Sequence, residues 1–201
     1  MTSKERHQKV ANQFAKLNDI LDKIHTNYLE KISIIINKAV KNYTDKKLWD
    51  TSYSDIVDLV YAALTETYLE TTTTLRNAYT QISDKIPDIE DFIYKDDKIT
   101  LPERIKGYWN EAKKFLKNPQ INSKEIGLKL LAAYDRILTN EMANVKAGVK
   151  KVKKPIKLDD NAIEIVEIIH SDGCSCEQCE VLEGFYLKDD NPDEPPFHPG
   201  C

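Results

Sequence analysis

At 201 residues the chain is long enough for one sizeable core or two small ones. Apolar residues make up 41% and charged residues 31%, more polar than an average globular domain and unlike a chain built of membrane spans. The net charge of −4 hides a shift: residues 1–157 hold 28 Lys+Arg against 21 Asp+Glu, whereas 158–201 hold 12 acids and one base, Lys188. Such a shift marks a boundary between segments with different surroundings.

The opening, MTSKERHQKV, has no apolar run and predicts no secretory leader. The longest apolar run near it is ISIII, far short of a membrane span. The expectation is a cytosolic protein, or one inside something assembled in the cytosol, where clustered cysteines hold metal more often than they form disulfides.

Val10, Phe14, Leu17, Leu21, Ile24 and Tyr28 recur at steps of three and four, one stripe of a long helix that continues through Ile32, Ile35, Ala39 and Tyr43. The four-residue step from Tyr28 to Ile32 is a stutter that locally unwinds a coiled-coil register. Lys9, Lys16, Lys23, Lys31 and Lys38 fall on the other face and read as a solvated face before a nucleic-acid stripe.

Ser52 or Ser54 is the expected cap of a second helix, with Val57, Val60, Leu64, Tyr68, Thr71, Leu75, Ala78, Ile82 and Ile86 at helical spacing until Pro87. The run from Thr71 to Thr74 weakens that helix, because β-branched side chains lose rotamer freedom there, so packing against a partner has to compensate. Two such helices form an antiparallel hairpin or join a bundle.

A connector, IPDIEDFIYKDDK, precedes Thr100, an N-cap with Pro102 in the first turn and Glu103 as capping-box partner. Ile105, Trp109, Ala112 and Leu116 give that helix its apolar face. Another helix starts at Ser123 and runs through Ile126, Leu130, Tyr134, Ile137, Leu138 and Met142 to about Val145. At these spacings Trp109 and the tyrosines read as core or partner contacts before a base-stacking platform.

The stretch KAGVKKVKKPIK holds Lys146, Lys150, Lys151, Lys153, Lys154 and Lys157. Two readings stand open: a solvated, extended linker, or a strip that neutralises phosphates and gives salt-sensitive, sequence-independent DNA contact. Beyond it the period changes. Ile163, Ile165 and Ile168 interleave with Glu164 and Glu167 as in a half-buried strand; SDG is a turn, GFYL a second strand, and KDDNPDEPPFHPG a proline-rich loop. The expected organisation is α+β: a helical assembly region over 1–145, a lysine-rich linker over 146–160, and a small β-containing module over 161–201, near the size limit for folding without a staple.

All four cysteines lie in that module. Cys176 and Cys179 form a Cys-x2-Cys knuckle, and His198 and Cys201 a second close pair, with eighteen residues between Cys179 and His198. Three thiolates and an imidazole match a closed, tetrahedral Cys3His structural zinc site, which would supply folding energy and leave no position for substrate. Free or disulfide-paired thiols are the alternative. Cys174 is a possible substitute ligand or a bystander, and His170 a further candidate that reads first as a strand-end residue.

The tail, through Cys176, Cys179, Leu182, Gly184, Tyr186, Pro195, Pro196, His198, Pro199 and Cys201, resembles the C-terminal signature of the phage Mu F-like head-morphogenesis, or minor head protein, family. The family pattern continues as Cys-x-Cys and one more strand, whereas this sequence stops at the first Cys, so the expected module is incomplete at its C-terminal end. The resemblance covers about residues 161–201. It implies a minor structural component of a tailed-phage head, in the capsid interior near the portal and in the host cytoplasm during assembly. Its implied partners are the portal and other head proteins, in several copies around a ring, with contact to packaged DNA or help in its exit as a further role.

Its rival is a zinc-stabilised nucleic-acid-binding protein using the lysines of 146–157, although the acidity of 158–201 would repel phosphate. An enzyme is not expected. The sequence holds no Gly-rich phosphate loop, nucleophile elbow or His-Glu-x-x-His helix, His7 and His25 have no nucleophile beside them in sequence, and the acids of DIEDF and KDD read as solvated.

Overall fold

The first helix is fixed at its start by a reciprocal cap. In the computed structural model, α1 (Ser3–Lys41) follows Thr2, whose backbone N–H donates to Glu5 Oε2 at 2.8 Å while its hydroxyl accepts from the Glu5 N–H at 3.3 Å. Two otherwise unpaired donors are thereby satisfied. The Thr2 N–H, followed by its hydroxyl, also holds the Glu5 carboxyl below its usual range. The structure describes residues 2–83, 100–118, 120–149, 156–158, 161–163, 165–168 and 184–187.

Along α1 the buried positions are Val10, Phe14, Leu17, Leu21, Ile24, Ile32, Ile36, Ala39 and Val40, with Tyr28 half-buried. The stripe therefore takes three successive four-residue steps, from Ile24 through Tyr28 and Ile32 to Ile36. The expected Ile35 is only half-buried. A helix of 3.6 residues per turn drifts under such steps, and the buried face moves round by one position.

The second helix, α2 (Lys46–Ile82), begins earlier than expected. Asp45 Oδ1 accepts from the Leu48 N–H at 3.0 Å, so Asp45 is the cap, and Ser52 is a buried residue well inside the helix. Asp45 offers its acceptor to the first turn, and the early start lets Trp49 be buried on the helix face. The third helix, α3 (Leu101–Leu116), starts at the expected box: the N–H and the hydroxyl of Thr100 both donate to Glu103 Oε2, at 2.9 and 2.8 Å. Its buried face is Leu101, Ile105, Trp109, Ala112 and Leu116. The fourth, α4 (Ser123–Val149), buries every apolar residue expected of it and continues past Val145 to a buried Val149. Of the described residues within 1–149, 91% are helical, in four helices and without a strand.

The chain divides into two compact units, one of residues 20–70 and 91–149 and the other of 1–19, 71–90 and 150–201. In the first, contacts link the helices in a ring. Tyr28 of α1 faces Glu66 of α2, Trp49 of α2 stacks on Trp109 of α3, and the Tyr134 hydroxyl of α4 donates to the Ile105 carbonyl of α3 at 3.2 Å. His25 of α1 meets Asp135 of α4 at 3.0 Å. Neighbours are antiparallel: early α3 faces late α4 through Arg104 and Glu141, and early α2 faces α3 through Tyr53 and Pro102. This unit is an up-and-down four-helix bundle.

The second unit buries Val10, Phe14 and Leu17 of α1 and Thr71, Thr72, Thr74, Leu75, Ala78, Tyr79 and Ile82 of α2. Packing thus holds the threonine run in the helix despite its low propensity. In the same unit β1 (Ile156–Leu158) pairs antiparallel with β2 (Asn161–Ile163), and β3 (Ile165–Ile168) with β4 (Gly184–Leu187). Ile156 lies opposite Ile163, and Ile165 opposite Leu187. The run of isoleucine and glutamate expected as one strand is divided between two ladders, and a strand stands at 156–158 where a linker was expected.

Candidate functional site

Most candidate ligands and phosphate contacts fall in the C-terminal segment. Cys174, Cys176, Cys179, His198, Cys201 and His170 lie outside the described residues, as do Lys150, Lys151, Lys153 and Lys154. Lys157 is the middle residue of β1, its backbone opposite Ala162. Lys146 stands in the last turn of α4, where a cation is favoured beside the partial negative charge of a helix C-terminus.

Lys9, Lys16, Lys23, Lys31 and Lys38 of α1 are exposed. One of them, Lys31, places its ammonium 4.6 Å from the Tyr28 ring centroid, a local cation–π contact.

Polar contacts inside the bundle were not legible from spacing. His25 Nε2 approaches Asp135 Oδ1 at 3.0 Å and Thr139 Oγ1 at 3.2 Å. A catalytic relay needs one ring nitrogen on the acid and the other on the hydroxyl. Both partners here meet the same nitrogen, so the cluster is a helix-to-helix tie between α1 and α4. The ion pair of Arg104 Nη2 with Glu141 Oε1 is 2.6 Å long, with Glu141 buried and Arg104 about one quarter exposed. Asn144 adds a 3.4 Å contact to the other Glu141 oxygen. The two partners are 37 positions apart, and only the antiparallel course of α3 and α4 joins them.

The two tryptophans of the chain form one feature. Trp49 and Trp109 stack at 4.2 Å between centroids and 30° between planes, and Lys113 Nζ lies 5.4 Å from the Trp49 ring. Both are buried, which answers the base-platform reading for Trp109: neither ring is open to a nucleotide.

Among the described residues no group of three or more His, Cys, Asp or Glu side chains is placed to hold a metal ion, and no helix is long and apolar enough to cross a membrane. The polar pairs described in the bundle join its helices. No known protein family, curated protein or solved structure matches the chain.

Proposed function

We propose that the chain is a minor, non-enzymatic structural protein of a phage head, associated with the portal inside the capsid. The observation that carries this reading is the paired spacing Cys176-x2-Cys179 and His198-x2-Cys201 around a proline-rich loop, with Leu182, Gly184 and Tyr186 between them. In this reading residues 161–201 form a small β-containing module clasped by zinc. The donor set fits that ion: three thiolates and one imidazole complete a tetrahedral shell without an open position. The clasp supplies stability and orientation, and the helical region meets the portal and other head proteins. Long helices with tyrosine-rich stripes suit assembly against a ring.

The test is co-purification. The protein is expected in portal-containing heads at low copy number, and its absence from both procapsids and mature virions contradicts the reading.

A second reading is favoured by one specific observation, the six lysines within residues 146–157. In it the strip binds DNA through phosphates, without base recognition. A salt titration of DNA binding by the full chain decides it: affinity falls steeply with salt if the strip is used, and a flat response removes the reading.

A further inference from the structure

The outer surface between α3 and α4 carries a groove of about 320 Å³. On α3, Tyr108, Glu111 and Phe115 are spaced three and four apart and so share one face. The two rings are 46% and 45% exposed, an aromatic pair where isolated apolar residues are the ordinary case. On α4 the groove is floored by apolar side chains such as the buried Leu130 and edged by Lys129 and Arg136.

The surface thus holds both halves of two complementary pairs. It has half-exposed aromatic side chains along one wall beside an apolar floor, and it has an acid on one helix and bases on the other. Among the described residues Lys129 pairs along its own helix with Glu125 at 2.7 Å, and none of the ion pairs found joins Glu111 to Arg136. A foreign helix needs only one half of each pair. A two-fold contact between identical copies needs both, because the same patch must present each partner to its mate.

We propose that this groove is a self-association surface whose occupant is a second copy of the chain. Tyr108 and Phe115 of each copy pack on the apolar floor of the other, and Glu111 of each faces Arg136 of the other across a two-fold axis. Aromatic rings and arginine are the side chains that carry most interface energy, and a charged rim fixes register and excludes wrong partners. The inference stands on the helix surface alone and does not require the virion reading.

The test is sedimentation of the full chain across a concentration series, kept reduced so that none of the four cysteines cross-links copies. A reversible monomer–dimer equilibrium is expected. Phe115→Asp abolishes it, and Glu111→Arg or Arg136→Glu alone weakens it by about tenfold or more. The exchange variant carrying both charge reversals regains association, since each copy again offers an acid to a base. Circular dichroism checks that every variant keeps the helical content of the parent. The proposal is overturned by a monomer at all concentrations, by a dimer indifferent to Phe115→Asp, or by an exchange variant no stronger than the single reversals.

Discussion

Trp49 and Trp109 stack face to face, 4.2 Å apart, and join the start of α2 to the middle of α3. They are the only tryptophans in the chain, so its indole fluorescence reports one contact in the four-helix unit. Trp109→Ala removes a large buried ring and leaves a cavity beside Trp49, at a cost of about 3–5 kcal/mol. Phe at this position retains a ring and costs less. Urea unfolding followed by helicity and by fluorescence checks both, and a Trp109→Ala loss below about 1 kcal/mol contradicts the packing described.

The threonine run yields a prediction of the opposite sign. The hydroxyls of Thr71 and Thr72 are buried without a hydrogen-bond partner, whereas Thr67 donates to the Ala63 carbonyl at 2.8 Å. A buried, unsatisfied hydroxyl is costly, and valine has nearly the same shape. Thr71→Val therefore stabilises the protein by about 1 kcal/mol, and Thr67→Val destabilises it. Paired unfolding midpoints measure the contrast; a loss at both positions means that Thr71 also has a partner.

Much of the helical region was legible because its signals are local. The Thr100–Glu103 box, the apolar face of α3 and the apolar periodicity of α4 lie within a few turns of chain. The differences have separate physical origins. Ile36 replaces Ile35 because the buried face of a long helix drifts, and Asp45 replaces Ser52 because burial of Trp49 extends the helix backward. The Thr2–Glu5 box was present in the sequence as Thr-x-x-Glu and went unread beside a stronger periodic signal. Partners 37 positions apart, such as Arg104 and Glu141, have no local signature at all.

That ion pair is asymmetric in burial, with side-chain exposures of 28% for Arg104 and 5% for Glu141. Removing Arg104 leaves a carboxylate in the protein interior, whereas removing Glu141 leaves a guanidinium that reaches water. Arg104→Met is expected to cost about 3 kcal/mol and Glu141→Leu less, while the double change recovers part of the loss. A double-mutant cycle in urea reads the coupling. Strict additivity would mean that the two groups contribute independently.

Three tyrosines, Tyr134 foremost, contribute to the pH dependence of stability in alkali. Burial, followed by the charge of Tyr53, raises the Tyr134 phenol strongly; burial, followed by Glu103, raises Tyr53; burial, followed by the Glu66 contact, raises Tyr28. A folded pKa above the unfolded one means that the folded state holds its proton longer. Stability is then full below the unfolded value, near about pH 10, and is lost as the pH climbs from there toward the folded values. Tyr134→Phe lowers stability at neutral pH by about 1 kcal/mol through loss of the Ile105 hydrogen bond, and it flattens the alkaline fall. Unfolding midpoints across the alkaline range test this; an unchanged slope in the variant contradicts the role of Tyr134.

The central claim is that the tail is a structural zinc clasp of the phage minor-head type, and the metal content of the reduced full chain tests it most directly. The account predicts about one zinc per chain, held by Cys176, Cys179, His198 and Cys201 and lost in Cys179→Ser. A fully reduced protein that binds no zinc contradicts the clasp and removes the observation on which the proposed function stands.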